Sequence, residues 1–274
     1  MKTRIFVCSN SGIDYVPHSL NVKSIPAIIH FSEEEQYEDY LDVSIDAFYS
    51  RMRYDSNAKI KIVFQNYVKL CEYVEEAKNE GYQQILFILG SKEFSDLLIP
   101  IQIAISENKD IPCYLYHTNS ISYPLAYMTN EADNMLIGGA TILEVFERLD
   151  FIKDNYKLFF FIPDCKDEGS NAFKKKFEQG KLYTLEDGVL QLVKNSKTSA
   201  YNKMIKEIID GSDNEDAVIF SLYTDKTTVY LNLFDKSIAD ITGEHKKIKS
   251  YPINPGIGII LGSNAVGMGF IIKK

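Results

Sequence analysis

Residues 83–117 read QQILFILGSKEFSDLLIPIQIAISENKDIPCYLYH. An apolar run, QILFIL, stops at Gly90 and small polar residues, a longer apolar stretch with Pro100 near its start follows, and IPCYLYH closes the segment. Short runs of Ile, Leu, Phe and Tyr suit strands, and the longer one suits a helix that tolerates proline in its first turns. Strand, helix and strand at this spacing point to a mostly parallel sheet covered by helices.

The rhythm extends in both directions. RIFVCSNSGID (4–14) is a buried strand running into a small-polar turn, and SIPAIIHF (24–31) is a second apolar strand, followed by the acidic loop SEEEQYEDYLD (32–42). SIDAFYSRM (44–52) is a helix with Ser44 as N-cap and with Phe48 and Met52 four apart. NYVKLCEYVEEAKNEG (66–81) places Val68, Leu70, Cys71 and Val74 on one helical face and ends at Gly81. Two more helices, 123–139 and 141–155, are separated by Gly138 and Gly139. After Asn155 the pattern changes to strand-like runs, YKLFFFIPD (156–164), GKLYTLEDGVLQLV (180–193), DAVIFSLY (216–223) and TTVYLNLF (227–234), with one helix around SAYNKMIKEIIDG (199–211). The EDG at 186–188 signals a hairpin. The expected organisation is an α/β domain over 1–155 and an α+β domain over 156–274.

The 274 residues are 45% apolar and 25% charged, ordinary values for a globular protein. A net charge of −8 argues against a nucleic-acid partner, since phosphates require a basic stripe. Lys174, Lys175 and Lys176, flanked by Glu168 and Glu178, read as a solvated helix face. Cys8, Cys71, Cys113 and Cys165 have neither zinc-ligand nor redox spacing, so reduced thiols in a cytoplasmic protein are expected. The opening MKTRIFVCSN is too short in its apolar part for a signal peptide, and no apolar run reaches the roughly 18–20 residues that span a bilayer.

Three strand ends carry small hydroxyl residues: SNSGIDY (9–15), LGSKEFSDL (89–97) and HTNSISY (117–123). Ligands bind at the carboxyl edge of open α/β sheets, and three successive strands would align these turns there. Ser95 can cap the following helix, and Lys92 would add a cation beside its N-terminus. The glycines of PINPGIGIILGSNAVGMGF (252–270) lack the spacing of a dinucleotide loop, and no phosphate-binding P-loop occurs. His18, His30, His117 and His245 sit in no hydrolase or metalloprotease motif, and Glu33, Glu34 and Glu35 are consecutive and diverge into solvent. No catalytic constellation, metal site or cofactor is expected.

In this order the motifs resemble the DegV family, bacterial lipid-binding proteins that include the fatty-acid-binding subunit of fatty acid kinase. VCSNSGIDY (7–15) looks like the family's T-D-S-G-x-D-L, and YEDYLDVSIDAFYSRM (37–52) its Y-x-D segment with an aromatic helix. SKEFSDL (91–97) is similar to S-S-x-L-S-G-T, keeping Ser91 and Ser95, and HTNSISYPLAY (117–127) is similar to D-S-x-x-x-S-x-G, keeping Ser122. LYTLEDG (182–188) resembles the strand and turn after K-P-I-L, and GIGIILGSNAVGMGF (256–270) resembles I-G-x-H-x-G-P-G-x-x-G. The likeness is colinear from Ile5 to Phe270.

The resemblance implies a DegV-like two-domain architecture with a lipid tunnel between the domains, the second domain closing over the ligand cleft. It implies a noncatalytic carrier of a long-chain fatty acid or related lipid. The ligand-binding residues implied are Ser11, Ser91, Ser95, Ser122 and Gly262, and Lys92 stands where the family has the second serine of S-S-x-L-S-G-T. The departures fall at the head group: the family's threonine is Ile62, its histidine is Ile260, and its G-G-R is Gly169-Ser170-Asn171. Ile62 and Ile260 make the head end apolar, Lys92 is the compensating cation, and the lost histidine and arginine count against delivery to a fatty acid kinase. The alternative is a DegV-shaped interaction or regulatory module that no longer binds fatty acid.

Overall fold

The computed structural model describes residues 1–54, 59–163, 180–193, 200–212, 216–224, 236, 239 and 248–273. Two compact units emerge: Met1–Asp154 with Asn254–Ile257, and Asn155–Ile253 with Gly258–Lys274. The expectations for the lysine cluster at 174–176, for residues 169–171, for Cys165 and for a strand at 227–234 lie outside the described residues.

The first unit is built on a parallel sheet of β1 (Thr3–Cys8), β2 (Val22–Ile25), β6 (Gln84–Leu89) and β7 (Cys113–His117), in the order β2-β1-β6-β7. Every residue of β1 and β6 is buried, which explains their continuous rather than alternating apolar pattern. Phe6 stacks on Phe87 at 5.4 Å and on Tyr73 at 5.9 Å, seating α2 (Tyr67–Asn79) on the sheet. The Asn66 side chain starts α2 by accepting from Lys69 N–H at 3.1 Å. The face α2 buries is Leu70, Tyr73, Val74 and Ala77; Val68 is exposed, so the expected stripe is rotated toward the aromatic residue. Helices α3 (Leu98–Glu107), α4 (Ser122–Ile137) and α5 (Ile142–Asp154) complete the wrapping, with α2 against α3 and α4 against α5.

The run SIPAIIHF is two strands, not one. Pro26 has no N–H for a ladder, and Ala27 N–H turns instead to the Ser9 hydroxyl at 3.2 Å. Beyond that break, β3 (Ile28–His30) pairs with β4 (Gln36–Glu38) and β5 (Lys61–Val63) in a small antiparallel sheet. Ile29, Phe31, Ile45, Phe48 and Tyr49 form its core with α1 (Ile45–Tyr54), which Ser44 caps as expected by accepting from Ala47 N–H at 3.2 Å. Glu33 and Glu34 are exposed, and Glu35 pairs with Arg51 at 2.5 Å.

The second unit holds a six-stranded sheet, in the order β10-β9-β8-β13-β11-β12, formed by β8 (Tyr156–Pro163), β9 (Gly180–Glu186), β10 (Val189–Leu192), β11 (Ala217–Tyr223), β12 (Lys249–Pro252) and β13 (Val266–Ile272). It is antiparallel except at β11–β12. The predicted hairpin joins β9 to β10, with Asp187 and Gly188 both at positive φ, 47° and 83°. Helix α6 (Ala200–Gly211) packs Met204, Ile205 and Ile208 onto Phe159, Phe161, Val266, Met268 and Phe270.

The closing glycine-rich segment is a short helix, α7 (Pro255–Leu261), followed by β13. On β13 the apolar residues face α6, while Gly267 and Gly269 face the other way. A β-carbon at Gly269 would lie 2.4 Å from the Phe220 ring and 2.3 Å from Lys157 O, so the ring crosses bare backbone there. Among the described residues, no helix is long and apolar enough to cross a membrane.

Candidate ligand-binding edge

Because β1, β6 and β7 are parallel neighbours, their carboxyl ends present three consecutive turns along one edge. The turns are bonded to one another. Ser91 N–H donates to Ser120 O at 2.8 Å, Thr118 N–H to Leu89 O at 2.9 Å, and Asn10 Nδ2 to Phe94 O at 2.5 Å. Gly90 permits this approach, since a β-carbon there would stand 2.7 Å from Ser120 O.

Ser11, Ser91 and Ser122 are buried on this edge. The Ser11 hydroxyl accepts from Ile13 N–H at 3.1 Å, and Ser91 accepts from Glu93 N–H at 3.1 Å. The Ser11 hydroxyl, accepting one N–H, keeps its own hydrogen to donate. Ser122 opens α4 at φ 55°, left-handed backbone that a serine adopts at a cost of about 1 kcal/mol or more, and α4 has no side-chain cap. The neighbouring Ser120 hydroxyl is buried without a hydrogen-bond partner.

Lys92 is exposed beside Ser91. Ser95 is half-buried and accepts from Leu97 N–H at 3.4 Å, but it is not the N-cap of α3; Leu97 occupies that position with helical backbone angles. Ile62 is on β5, opposite Ile29, half-buried against the Phe31–Phe48 cluster. Ile260 and Gly262 belong to the second unit, where Ile260 is 56% exposed on α7 and Gly262 ends that helix at φ 89°. Ser11, Ser91 and Ser122 are thus brought to one edge with Lys92 and Ser95 beside them, and Ile62 sits on the adjoining small sheet.

Behind this edge lies a buried polar cluster that sequence reasoning missed. Asn254, carried by the second stretch of the first unit, donates from Nδ2 to the carbonyl of Ser9. Asp39, 2% exposed at the end of β4, lies near the Ser9 hydroxyl, the Asn254 side chain and Tyr40 N–H, but neither carboxylate oxygen forms a hydrogen bond of normal geometry. Burial pushes its pKa up to about 7, and Asp14 adds to the rise, against the lowering effect of those donors. Burial also raises Asp14, with the Ser24 hydroxyl and His18 opposing it. Tyr15 and Tyr49 are held un-ionised by burial first and by Asp39 next. The one available signal was the aspartate of the Tyr37-Glu38-Asp39 segment, submerged in an otherwise solvated acidic run.

Cys8, at the end of β1, is buried and its thiol is pushed up to about 11, although the N–H groups of Gly90, Asn10 and Ser11 lie toward the sulfur. His117 is exposed on the same edge, and partial desolvation followed by Lys153 lowers its pKa. Among the described residues, no group of three His, Cys, Asp or Glu side chains is placed to hold a metal ion.

The comparisons with known proteins agree with this architecture. A family model described as "Uncharacterised protein, DegV family" matches residues 2–166. A DegV domain-containing protein of Staphylococcus aureus strain N315 is 24% identical over 270 residues, covering 93% of this chain and 92% of its own. Among solved structures, the fatty acid binding DegV family protein of Streptococcus agalactiae superposes with a TM-score of 0.81 at 14% identity, covering 100% of both chains. The stearic acid-binding protein of Eubacterium ventriosum gives 0.76 at 16% identity, covering 99% of this chain and 98% of its own. By the span of the matching family model, and with the fold those relatives share, the chain belongs to the DegV family.

Proposed function

We propose that this protein binds a long-chain fatty acid or related lipid without catalysing a reaction on it, with the head group at the carboxyl edge of the parallel sheet. The observation that carries the reading is the meeting of three hydroxyl-bearing turns, Ser9–Gly12, Gly90–Phe94 and Thr118–Ser122, in a member of the DegV family. Solved proteins of this fold from Streptococcus agalactiae and Eubacterium ventriosum are described as fatty-acid binders. In the proposed site Ser11, Ser91 and Ser122 donate hydroxyl hydrogens, with Ser95 flanking them. An unpaired carboxylate in a cleft costs several kcal/mol, and Lys92 is the cation assigned to offset that. Ile62 is assigned to the apolar lining. Free Cys8, Cys71 and Cys113 fit a reducing, cytoplasmic location. Kinase-coupled delivery is not proposed, because Ile260 and Asn171 replace the family's histidine and arginine.

Native mass spectrometry of the freshly purified protein tests the reading: a copurifying acyl species, or binding of added oleate or stearate, is expected. A second reading, an interaction module without lipid, is favoured by Tyr67, Val68, Ile99 and Ile103, large apolar residues exposed on the paired helices α2 and α3. A ligand-free protein that takes up neither fatty acid decides for that reading.

A further inference from the structure

The cluster around Asp39 goes beyond lipid binding. Its members come from four places in the chain: the turn after β1, Asp14 and Tyr15 in the next turn, Asp39 and Tyr40 after β4, and the stretch 254–257. Tyr49 of α1 closes it from the side. Four of its buried polar groups lack a hydrogen-bond partner at some atom: Asn10 Oδ1, Tyr15 Oη, Asn254 Oδ1 and both oxygens of Asp39. A carboxylate offers about four acceptor positions and a neutral carboxyl demands less, so the cluster is better suited to the protonated acid.

The stretch 254–257 is joined to the second unit at both ends, and residues 255–257 form the first turn of α7. The chain leaves the second unit at Ile253, contributes four residues to the first, and rejoins the second at Gly258. Asn254 is bound to Ser9 O, and Gly256 lies so close to Asn10 that a β-carbon would be 2.0 Å from Asn10 Oδ1. By contrast, Asp39 N–H is anchored on Ala27 O at 2.8 Å, and Ser9 directly follows β1.

We propose that Asp39 is a proton-operated latch for residues 254–257: a neutral carboxyl lets Asn254 and Gly256 close on the turn at Ser9–Ser11, and an ionised carboxyl, whose burial costs more than the Ser9 and Asn254 donors return, favours opening of the stretch to water. The groups facing Asp39 are Asp14 and Tyr15 from the turn, Tyr49 from α1 and Tyr40 beside it, while His18 acts on Asp14. Asp14 opposes ionisation of Asp39 by like charge, and Ser9 and Asn254 assist it by donating; burial outweighs both donors, which sets the switching range near neutrality.

Hydrogen–deuterium exchange of the full chain, without added lipid and corrected for intrinsic rates, reads the latch directly. From about pH 6 to about pH 8, protection of amides in 254–258 falls at least about fivefold in the wild type and stays high and flat in Asp39→Asn. The step persists in Asp14→Asn. A wild-type profile without the step, a step surviving in Asp39→Asn, or one abolished only by Asp14→Asn overturns the proposal. Should Asp39→Asn fail to fold, carbon-13 carboxyl titration of the wild type decides: a midpoint near neutrality supports the latch, and one below about pH 5 sinks it. No lipid enters these measurements, so their outcome is separate from that of the fatty-acid reading.

Discussion

Gly256 rests against the side chain of Asn10, and a β-carbon at 256 would fall 2.0 Å from Asn10 Oδ1. Asn10 cannot retreat freely, because its Nδ2 is committed to Phe94 O at 2.5 Å. Gly256→Ala therefore forces out either this contact or the bond between two strand-end turns. A loss of about 1–3 kcal/mol is expected in urea denaturation. In an Asn10→Ala background the added penalty shrinks; an equal penalty in both backgrounds would locate the strain elsewhere.

Asp39 makes stability depend on pH with a definite sign. Its ordinary value is 3.8 and its folded value is about 7, so between these limits the folded protein holds a proton that the unfolded chain has lost. The contribution is fully present below about pH 4, declines as pH rises and is gone above about pH 7, a fall of roughly 4 kcal/mol. Ion-paired surface carboxylates such as Glu76 and Asp110 work in the opposite direction. The wild-type curve minus that of Asp39→Asn removes them, and a flat difference would show that Asp39 is ionised throughout.

The thiols differ in reactivity. Cys8 is buried with its pKa pushed up to about 11, and desolvation holds Cys113 up to about 11 as well, whereas Cys71 lies half-buried near the surface of α2. Since the thiolate is the nucleophile, an aromatic disulfide reagent labels Cys71 before Cys113 and reaches Cys8 only on unfolding. Peptide mass spectrometry after timed labelling gives the order.

Lys92 is exposed, so Lys92→Ala changes stability by less than about 0.5 kcal/mol. If it holds the lipid head group, the same change weakens fatty-acid affinity at least about tenfold in a fluorescence displacement titration. An unchanged affinity removes it from the site.

The parallel core was legible because Ile85–Leu89 and Ile5–Val7 are buried on both faces and must be apolar throughout. The adjacency of the three strand-end turns followed from the same pattern. The break at Pro26 was written in the sequence too, but the apolar residues on either side masked it. Residues in α2 misled for another reason: Val68 fits a helical stripe by spacing, yet Phe6 draws the helix onto Tyr73. Asp39 was hidden among exposed Glu33, Glu34 and Asp42, since no local feature distinguishes a carboxyl covered by a segment more than 200 residues away. Long-range burial of this kind leaves no periodic trace.

The inclusion of Asn254–Ile257 in the first unit has a bearing on modularity. A fragment cut after residue 155 would keep every strand of the parallel sheet yet expose the Ser9 carbonyl and the wall of Asn10, so it should fold incompletely unless those four residues are supplied in trans or by circular permutation. Exchanging C-terminal halves between relatives would likewise transplant part of the recipient's own interior, and chimeras of this architecture should succeed only where that short insert is matched to its host.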